Sequence, residues 1–175
     1  MFVQMMTLHR AVFLLALLAL GACARQQHPI DRQLSQLRPD AIVPLVGLDW
    51  PAGTLLCPMT PYQGALAAGG PVATRVNDYL RRRQFVGDED HWSLVVVKPA
   101  TAGDEGIEHL RFRRGNYDVV TEEKRVADAA KAHSQAHSQV QSQAFTQQAC
   151  VPVEHARVLV ARDRSQRTFI SFGTS

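Results

Sequence analysis

Hydrophobic and polar positions follow one another along most of the chain in patterns typical of short strands. Runs rich in β-branched and aromatic residues, separated by turn-forming residues, predict the strands. They cover 53–57, 93–98, 150–161 and 167–172, and a hairpin covers 107–121. Residues 41–48 are also apolar, but Pro44 lacks a backbone N–H and restricts this segment to an edge strand or an extended connection.

The hairpin over 107–121 has the clearest local pattern. Gly115-Asn116 is a two-residue turn signal. With this turn as the loop, alternation places four large side chains on one face: Leu110, Phe112, Tyr117 and Val119. Arg113 and Asp118 then oppose each other on the other face, where opposite charges stabilise a strand pair. The pattern therefore predicts that the two halves of this segment pair with each other.

Two segments have the period of a helix. The first begins at Pro71, where a missing N–H costs nothing, and runs to about residue 84 with Val72, Val76 and Leu80 at a spacing of four. The second is predicted over 122–147, where the apolar stripe consists mostly of small side chains and an Ala-His-Ser-Gln unit is repeated. Such low complexity predicts a helix that packs weakly.

These elements predict an α+β fold with an antiparallel sheet of five or six strands, one packed helix and a second, looser helix. The chain of 175 residues has a formal net charge of +3, which gives no argument for nucleic-acid binding. One domain is predicted over 41–175. The polar segment 23–40 before it is either a short amphipathic helix or a tether.

The N-terminal 22 residues have the organisation of a signal peptide. Arg10 precedes ten apolar residues, 11–20, which are too few to span a bilayer as a helix. The following Leu20-Gly21-Ala22-Cys23 resembles the lipobox of bacterial lipoproteins. In that family the cysteine thiol receives a diacylglycerol, cleavage occurs just before it, and the new amino terminus is acylated. The resemblance implies a signal peptide over 1–22 and lipidation, including a palmitate-type acyl chain, at Cys23.

The same resemblance implies a location. Ala24 after the lipidated cysteine implies sorting to the bacterial outer membrane, with the lipid as a membrane anchor and the domain facing the periplasm. An alternative interpretation takes Ala22-Cys23-Ala24 as an ordinary cleavage site and gives a soluble secreted protein. The resemblance covers the leader alone, and residues 23–175 resemble no family in this way.

Two further cysteines remain once Cys23 carries a lipid. Cys57 and Cys150 each lie at a predicted strand boundary, and an exported domain meets an oxidising compartment. Adjacent antiparallel placement of those strands would bring the two Cα atoms close enough for a bridge. A disulfide between Cys57 and Cys150 is therefore predicted, the alternative being two separate buried thiols.

Catalytic and cofactor-binding signatures are missing from the sequence. It contains no nucleophile elbow, zinc-protease helix, phosphate-binding glycine loop or C-x-x-C pair, so a non-enzymatic protein without a cofactor is predicted. His133 and His137, one helical turn apart, are a weak candidate for a metal site. They belong to the polar repeat, whose low complexity explains them without a metal.

Basic side chains supply the candidate binding residues. Arg81, Arg82 and Arg83 end the first predicted helix, while His109, Arg111 and Arg113 lie on the outer face of the predicted hairpin. An alternative role for the three consecutive arginines is to complement the negative end of the helix dipole. The acidic turn 87–90 is predicted to be solvated, because it lacks the ligand spacing of a calcium loop.

The leader and the lack of a catalytic signature in the sequence together predict a class of function. The protein is expected to be a non-enzymatic outer-membrane lipoprotein whose domain binds another envelope protein, as an assembly factor or as an inhibitor of the immunity type. The alternative is a structural lipoprotein that contacts peptidoglycan through the arginines and His109.

Overall fold

The computed structural model describes residues 28–39, 41–100, 105–115, 117–122, 124–126, 128–129, 145–162 and 167–174. The helices are α1 (Pro29–Ser35) and α2 (Pro71–Arg82), and Val153–His155 form a 3-10 helix. The strands are β1 (Ala41–Pro44), β2 (Leu55–Met59), β3 (His91–Val97), β4 (Ile107–Arg113), β5 (Asp118–Val119), β6 (Thr146–Gln147), β7 (Val151–Pro152), β8 (Arg157–Arg162) and β9 (Thr168–Thr174). In the part of the chain so described, no helix has the length and apolar character needed to cross a bilayer.

The strands form two sheets. The first is four-stranded and antiparallel, in the order β4-β3-β2-β7. The second is five-stranded, in the order β1-β8-β9-β5, with β6 also pairing with β9; the two-residue β5 is parallel to β9 and the other pairs are antiparallel. The predicted α+β class is confirmed, although the strands are divided between two sheets and do not form a single one.

The four-stranded sheet is buried on both faces. Along β3, Trp92, Leu94 and Val96 contact the core shared with the five-stranded sheet, whereas Val95 and Val97 contact α2. On the far face of the five-stranded sheet, a third cluster contains Leu159, Phe169 and, from the helical residues near 124–129, Val126. The layers therefore run from α2 through the four-stranded and five-stranded sheets to this short helical segment.

The helix predicted from residue 71 is confirmed. In α2 the buried side chains are those of the predicted stripe and its neighbours, namely Ala73, Val76, Tyr79 and Leu80. Pro71 lies in its first turn, where its fixed φ suits a helix start. α2 therefore packs on the sheet through one apolar face, and its other face is in contact with solvent.

The predicted hairpin is wrong. β4 pairs with β3 over seven residue pairs, from Ile107 opposite Val97 to Arg113 opposite His91, and β5 belongs to the other sheet. Asp118 forms ion pairs with Arg114, the neighbour of the predicted partner, and with Arg167.

Packing in the core explains why the chain passes from one sheet to the other between β4 and β5. Phe112, before the turn, and Tyr117, after it, both contact the buried Trp92, with ring centroids 4.4 and 5.9 Å away. Pairing with β3 also gives β4 more cross-strand residue pairs than the predicted hairpin with residues 117–121 would. This favours the observed arrangement, because such pairs stabilise a sheet. Local alternation alone did not distinguish the two arrangements.

The second predicted helix is shorter than expected. Within 122–147, residues 124–126 and 128–129 are helical, whereas Phe145 is not helical and Thr146 and Gln147 form β6. Residues 130–144, with His133 and His137, lie outside the described residues. Upstream, α1 is the short helix allowed for the polar segment, with Ile30 and Leu34 buried in the core between the sheets.

The predicted disulfide is present. β2 and β7 pair with Leu55 opposite Pro152 and Leu56 opposite Val151, and the same register places Cys57 opposite Cys150. Their sulfur atoms are bonded, and the Cα atoms lie 4.1 Å apart. The bond joins positions 93 residues apart and fixes the short strand β7 to the four-stranded sheet.

Loop-closure entropy sets the expected contribution of this bond. Replacing both residues, as Cys57→Ala with Cys150→Ala, should lower the free energy of unfolding by about 4–5 kcal/mol, because the unfolded chain then regains the freedom of a loop of that length. Urea denaturation of the wild type and the double variant measures the difference. A loss below about 1 kcal/mol would show that the unfolded chain was not constrained in this way.

Candidate functional site

Charged side chains gather where β3 begins and β4 ends, at one end of the four-stranded sheet. Across these strands His91 lies opposite Arg113, and Arg111 lies opposite the buried Ser93. Side chains at alternate positions share the sheet face covered by α2. We call the side chains that gather on this face the basic surface; they are Arg83, His109, Arg111 and Arg113.

The end of α2 is docked onto β4 by a helix-terminating turn. Gln84 has a positive φ of 51°, and the N–H of Phe85 donates to the carbonyl of Leu80 at 3.0 Å, as in a Schellman motif. This turn places the Phe85 ring edge-on to His109, with ring centroids 4.5 Å apart. Arg83 is thereby held beside β4.

The three consecutive arginines do not act as one patch. Arg81 pairs with Asp78 and Arg82 with Glu105. Arg83 lies over the Tyr79 ring, 4.6 Å from its centroid, and none of the described carboxylates pairs with it. Of the predicted triplet, Arg83 alone therefore contributes an uncompensated charge to the basic surface.

Arg111 and Arg113 also differ in whether a carboxylate pairs with them. Arg111 pairs with Asp88, whose Oδ1 also lies 2.9 Å from Nδ1 of His91. The hydrogen bond with His91, followed by the charges of His91 and Arg111, lowers the pKa of Asp88 below its ordinary value. Arg113 is exposed and has no ion-pair partner within the described ranges. The acidic turn predicted to be solvated is thus bound to β4 through Asp88.

His109 contributes packing and no charge at neutral pH. Its side chain is half-buried beneath Phe85, and burial, followed by the charges of Arg111 and Arg83, lowers its pKa below the ordinary value. Its Nε2 is buried and receives no hydrogen bond from the described residues. The predicted binding histidine is therefore a neutral ring that supports the arginines beside it.

Tyr62 belongs to this site although the sequence pattern did not indicate it. Its φ is +65°, which is rare for an aromatic residue, and its side chain is 66% exposed. The hydroxyl donates to Oε2 of Glu89 at 2.7 Å, which raises the pKa of Tyr62, and the backbone N–H donates to the carbonyl of Asp88 at 3.0 Å. Two hydrogen bonds thus hold Tyr62 on the turn that Arg111 also contacts.

Gly87 makes this arrangement possible. A Cβ at that position would lie 2.5 Å from the carbonyl carbon of Tyr62, so only glycine allows the two loops to approach each other. The neighbouring Val86 is 80% exposed. Tyrosine and arginine on a rigid support are the residue types that dominate the binding energy of protein interfaces. The site can therefore bind an anionic, partly apolar protein surface.

Two of the predicted chemical groups are not placed by the structure. Cys23, His133 and His137 lie outside the described ranges. Inside those ranges, His, Cys, Asp and Glu side chains form no group of three or more that could hold a metal ion.

The lowered pKa of His109 predicts a pH-dependent stability. The unfolded chain binds a proton at about pH 6.5, whereas folded His109 resists protonation, so the contribution of this residue to stability falls as the pH drops below that value. Melting temperatures between pH 7.5 and 5.5 should fall less steeply in His109→Gln than in the wild type. Equal slopes would contradict the prediction, and the exposed His155→Gln serves as the control.

The backbone conformation of Tyr62 predicts an unusual order of variants. At an ordinary loop position glycine is less stabilising than alanine, because it frees the unfolded chain. At a φ of +65° alanine carries a left-handed penalty that glycine avoids. Tyr62→Gly should therefore melt roughly 2–4 °C above Tyr62→Ala. If the alanine variant melts higher, the conformation of this loop is different in solution.

Comparison with protein-family models, with curated proteins and with solved structures finds no match to this chain. A function for the protein therefore has to be inferred from its own surface chemistry. At the end of β4 these features are the two arginines Arg83 and Arg113, which have no carboxylate partner among the described residues, and the exposed Tyr62 and Val86 on the adjoining loops.

Proposed function

We propose that the protein is a non-enzymatic, lipid-anchored outer-membrane protein whose periplasmic domain binds another envelope protein, as an assembly factor or as an inhibitor of the immunity type. The observation that carries this proposal is the basic surface. Arg83 and Arg113 have no carboxylate partner in the described part of the chain, and the exposed Tyr62 and Val86 lie on the adjoining loops. Charge provides selectivity for the partner, while Tyr62 and Val86 provide apolar contact area.

The ion pairs of the neighbouring arginines support the choice of this surface. The arginines next to Arg83 are paired with acidic residues, and so is Arg114 next to Arg113. Exposed ion pairs of this kind contribute little to stability. Among the arginines beside the end of β4, they leave the charges of Arg83 and Arg113 uncompensated by any described carboxylate.

The proposed anchor is compatible with access to this surface. His28 stacks on Trp50, and Trp50 donates to Glu108 at the start of β4, so the chain enters the domain beside that strand. Five positions separate Cys23 from His28, a reach of at most about 18 Å. Arg113 lies about 17 Å further along β4 than Glu108. Arg113 thus lies at the far end of β4 from the point where the lipid-bearing segment would enter the domain.

Capture from crosslinked cells tests the proposal. The lipidated wild type should recover one envelope protein in stoichiometric amount, and Arg83→Gln with Arg113→Gln should lower the recovery at least tenfold, as expected for two interface arginines. Arg81→Gln with Arg82→Gln is the matched control and should recover the partner as the wild type does, because these two arginines are already paired.

Three outcomes would contradict the proposal. Equal loss in both double variants would show that general charge, and not the basic surface, is responsible. Sedimentation with purified sacculi in the absence of a protein partner would favour the structural alternative, in which the arginines bind peptidoglycan carboxylates. Turnover of an envelope substrate by the purified protein would show that it is an enzyme.

The proposed anchor has its own test. Cys23→Ser should abolish labelling by a radioactive or clickable fatty acid and either block processing or release the protein from the membrane fraction, because several acyl chains are needed for stable attachment. A variant that matures normally and partitions with the membrane as the wild type does would show that Cys23 is not the lipidation site.

A further inference from the structure

β4 is an edge strand with one unpaired side. It pairs with β3 and with no other strand in the described part of the chain. The N–H of Lys98 donates to Gly106 and the N–H of Arg114 donates to Asp90, which identifies these opposed residues as hydrogen-bonded pairs. Such pairs alternate along an antiparallel ladder. The backbone groups of the intervening positions therefore point away from β3; these are Ile107, His109, Arg111 and Arg113.

The outward N–H and C=O groups of β4 are available for hydrogen bonding to an added strand. In the residues that the structure describes, no N–H or C=O from another segment bonds to them. The edge strands β1 and β7 are short and contain proline. β1 has four residues and ends at Pro44, and β7 has two residues and includes Pro152. Natural sheets usually protect a long edge from added strands. With seven residues, β4 is the one long edge left open in the described structure.

The side chains along this edge select the charge of an added strand. Arg111 and Arg113 project on the same face as Arg83, and because Arg111 is already paired with Asp88, an added strand with carboxylates on that face would meet the uncompensated charges of Arg113 and the nearby Arg83. On the other face Leu110 is only partly buried and offers apolar contact. A second copy of the chain is a poor occupant, because antiparallel pairing of two β4 strands would bring the arginines of both copies together.

We propose that β4 is the docking site for an extended acidic segment of the partner protein, which adds to the four-stranded sheet as a fifth strand. Main-chain hydrogen bonds would supply affinity, and alternating carboxylate and apolar side chains would supply specificity. This inference rests on the proposed function for the existence of a protein partner. It adds the form in which that partner is recognised.

Amide exchange measured by NMR on the ¹⁵N-labelled full-length protein tests strand addition. The probe is an acetylated and amidated peptide of about eight residues, a length within the range of natural strands, with alternating Glu and Val. At saturation it should slow exchange of the His109 and Arg111 amides at least tenfold. The amides of Leu110 and Phe112, which already bond to β3, should change little. Unchanged exchange at the outward amides would overturn the proposal.

Backbone methylation separates strand addition from simple charge attraction. Because only alternate N–H groups of an added strand face β4, N-methylation of one alternate set of peptide amides should weaken binding at least tenfold, and methylation of the other set should not. Equal effects of the two sets would contradict strand addition. A peptide with Lys in place of Glu should bind at least tenfold more weakly, and equal binding would contradict the charge selection.

Protein variants complete the test. Arg83→Gln with Arg113→Gln should weaken peptide binding at least tenfold, and the control Arg81→Gln with Arg82→Gln, whose arginines are already paired, should not. Protection of the outward amides that grows with protein concentration, without peptide, would replace the proposed occupant with a second copy. A partner captured from cells through Arg83 and Arg113 without peptide protection would leave the proposed function intact and overturn strand addition alone.

Discussion

The burial of β3 on both faces is the constraint on which the rest of the domain depends. Trp92 and Leu94 fill the core against the five-stranded sheet, and Val95 fills the core against α2. Because β3 can move toward neither layer, β4 is held in place along seven residue pairs although its other side is unpaired. The edge strand β4 can therefore stay ordered without a further strand paired to it in the described structure.

Selective neutralisation gives the domain its charged face. The formal net charge of +3 is small for 175 residues, and most acidic groups near β4 already have partners. Asp78 and Glu105 each hold one arginine of α2, and Asp88 holds Arg111 and His91. The positive character of the basic surface thus comes from which arginines lack a carboxylate partner among the described residues, and not from an excess of basic residues in the whole chain.

Short-range patterns predicted the parts of the fold that depend on them. The spacing of Val76 and Leu80 was enough for α2, and the cysteine count, together with the export expected from the leader, was enough for the disulfide. The hairpin failed because alternation over 107–121 suits pairing with β3 equally well. Packing of Phe112 and Tyr117 against Trp92 favours the observed arrangement, and no local sequence pattern indicates these two contacts.

The candidate site was less predictable than the fold. His109 and the arginines were identified by residue type, but which arginines are neutralised depends on residues distant in sequence, such as Glu105 for Arg82. Tyr62 gave no signal, because its positive φ is imposed by the close approach of Gly87. Residue type therefore indicated where charge is present, and only tertiary contacts determined where it is available.

The disulfide has a consequence for the integrity of the molecule under proteolysis. Tyr62, α2, β3 and β4 all lie between Cys57 and Cys150 in the chain. A single backbone cut between these cysteines, for example in the Ala-His-Ser-Gln repeat, leaves both fragments joined through sulfur. The two pieces migrate as one species until a reductant is added. In an oxidising compartment, a copy of the domain nicked in this repeat would therefore keep its C-terminal fragment, with β7, β8 and β9, attached to the rest of the fold.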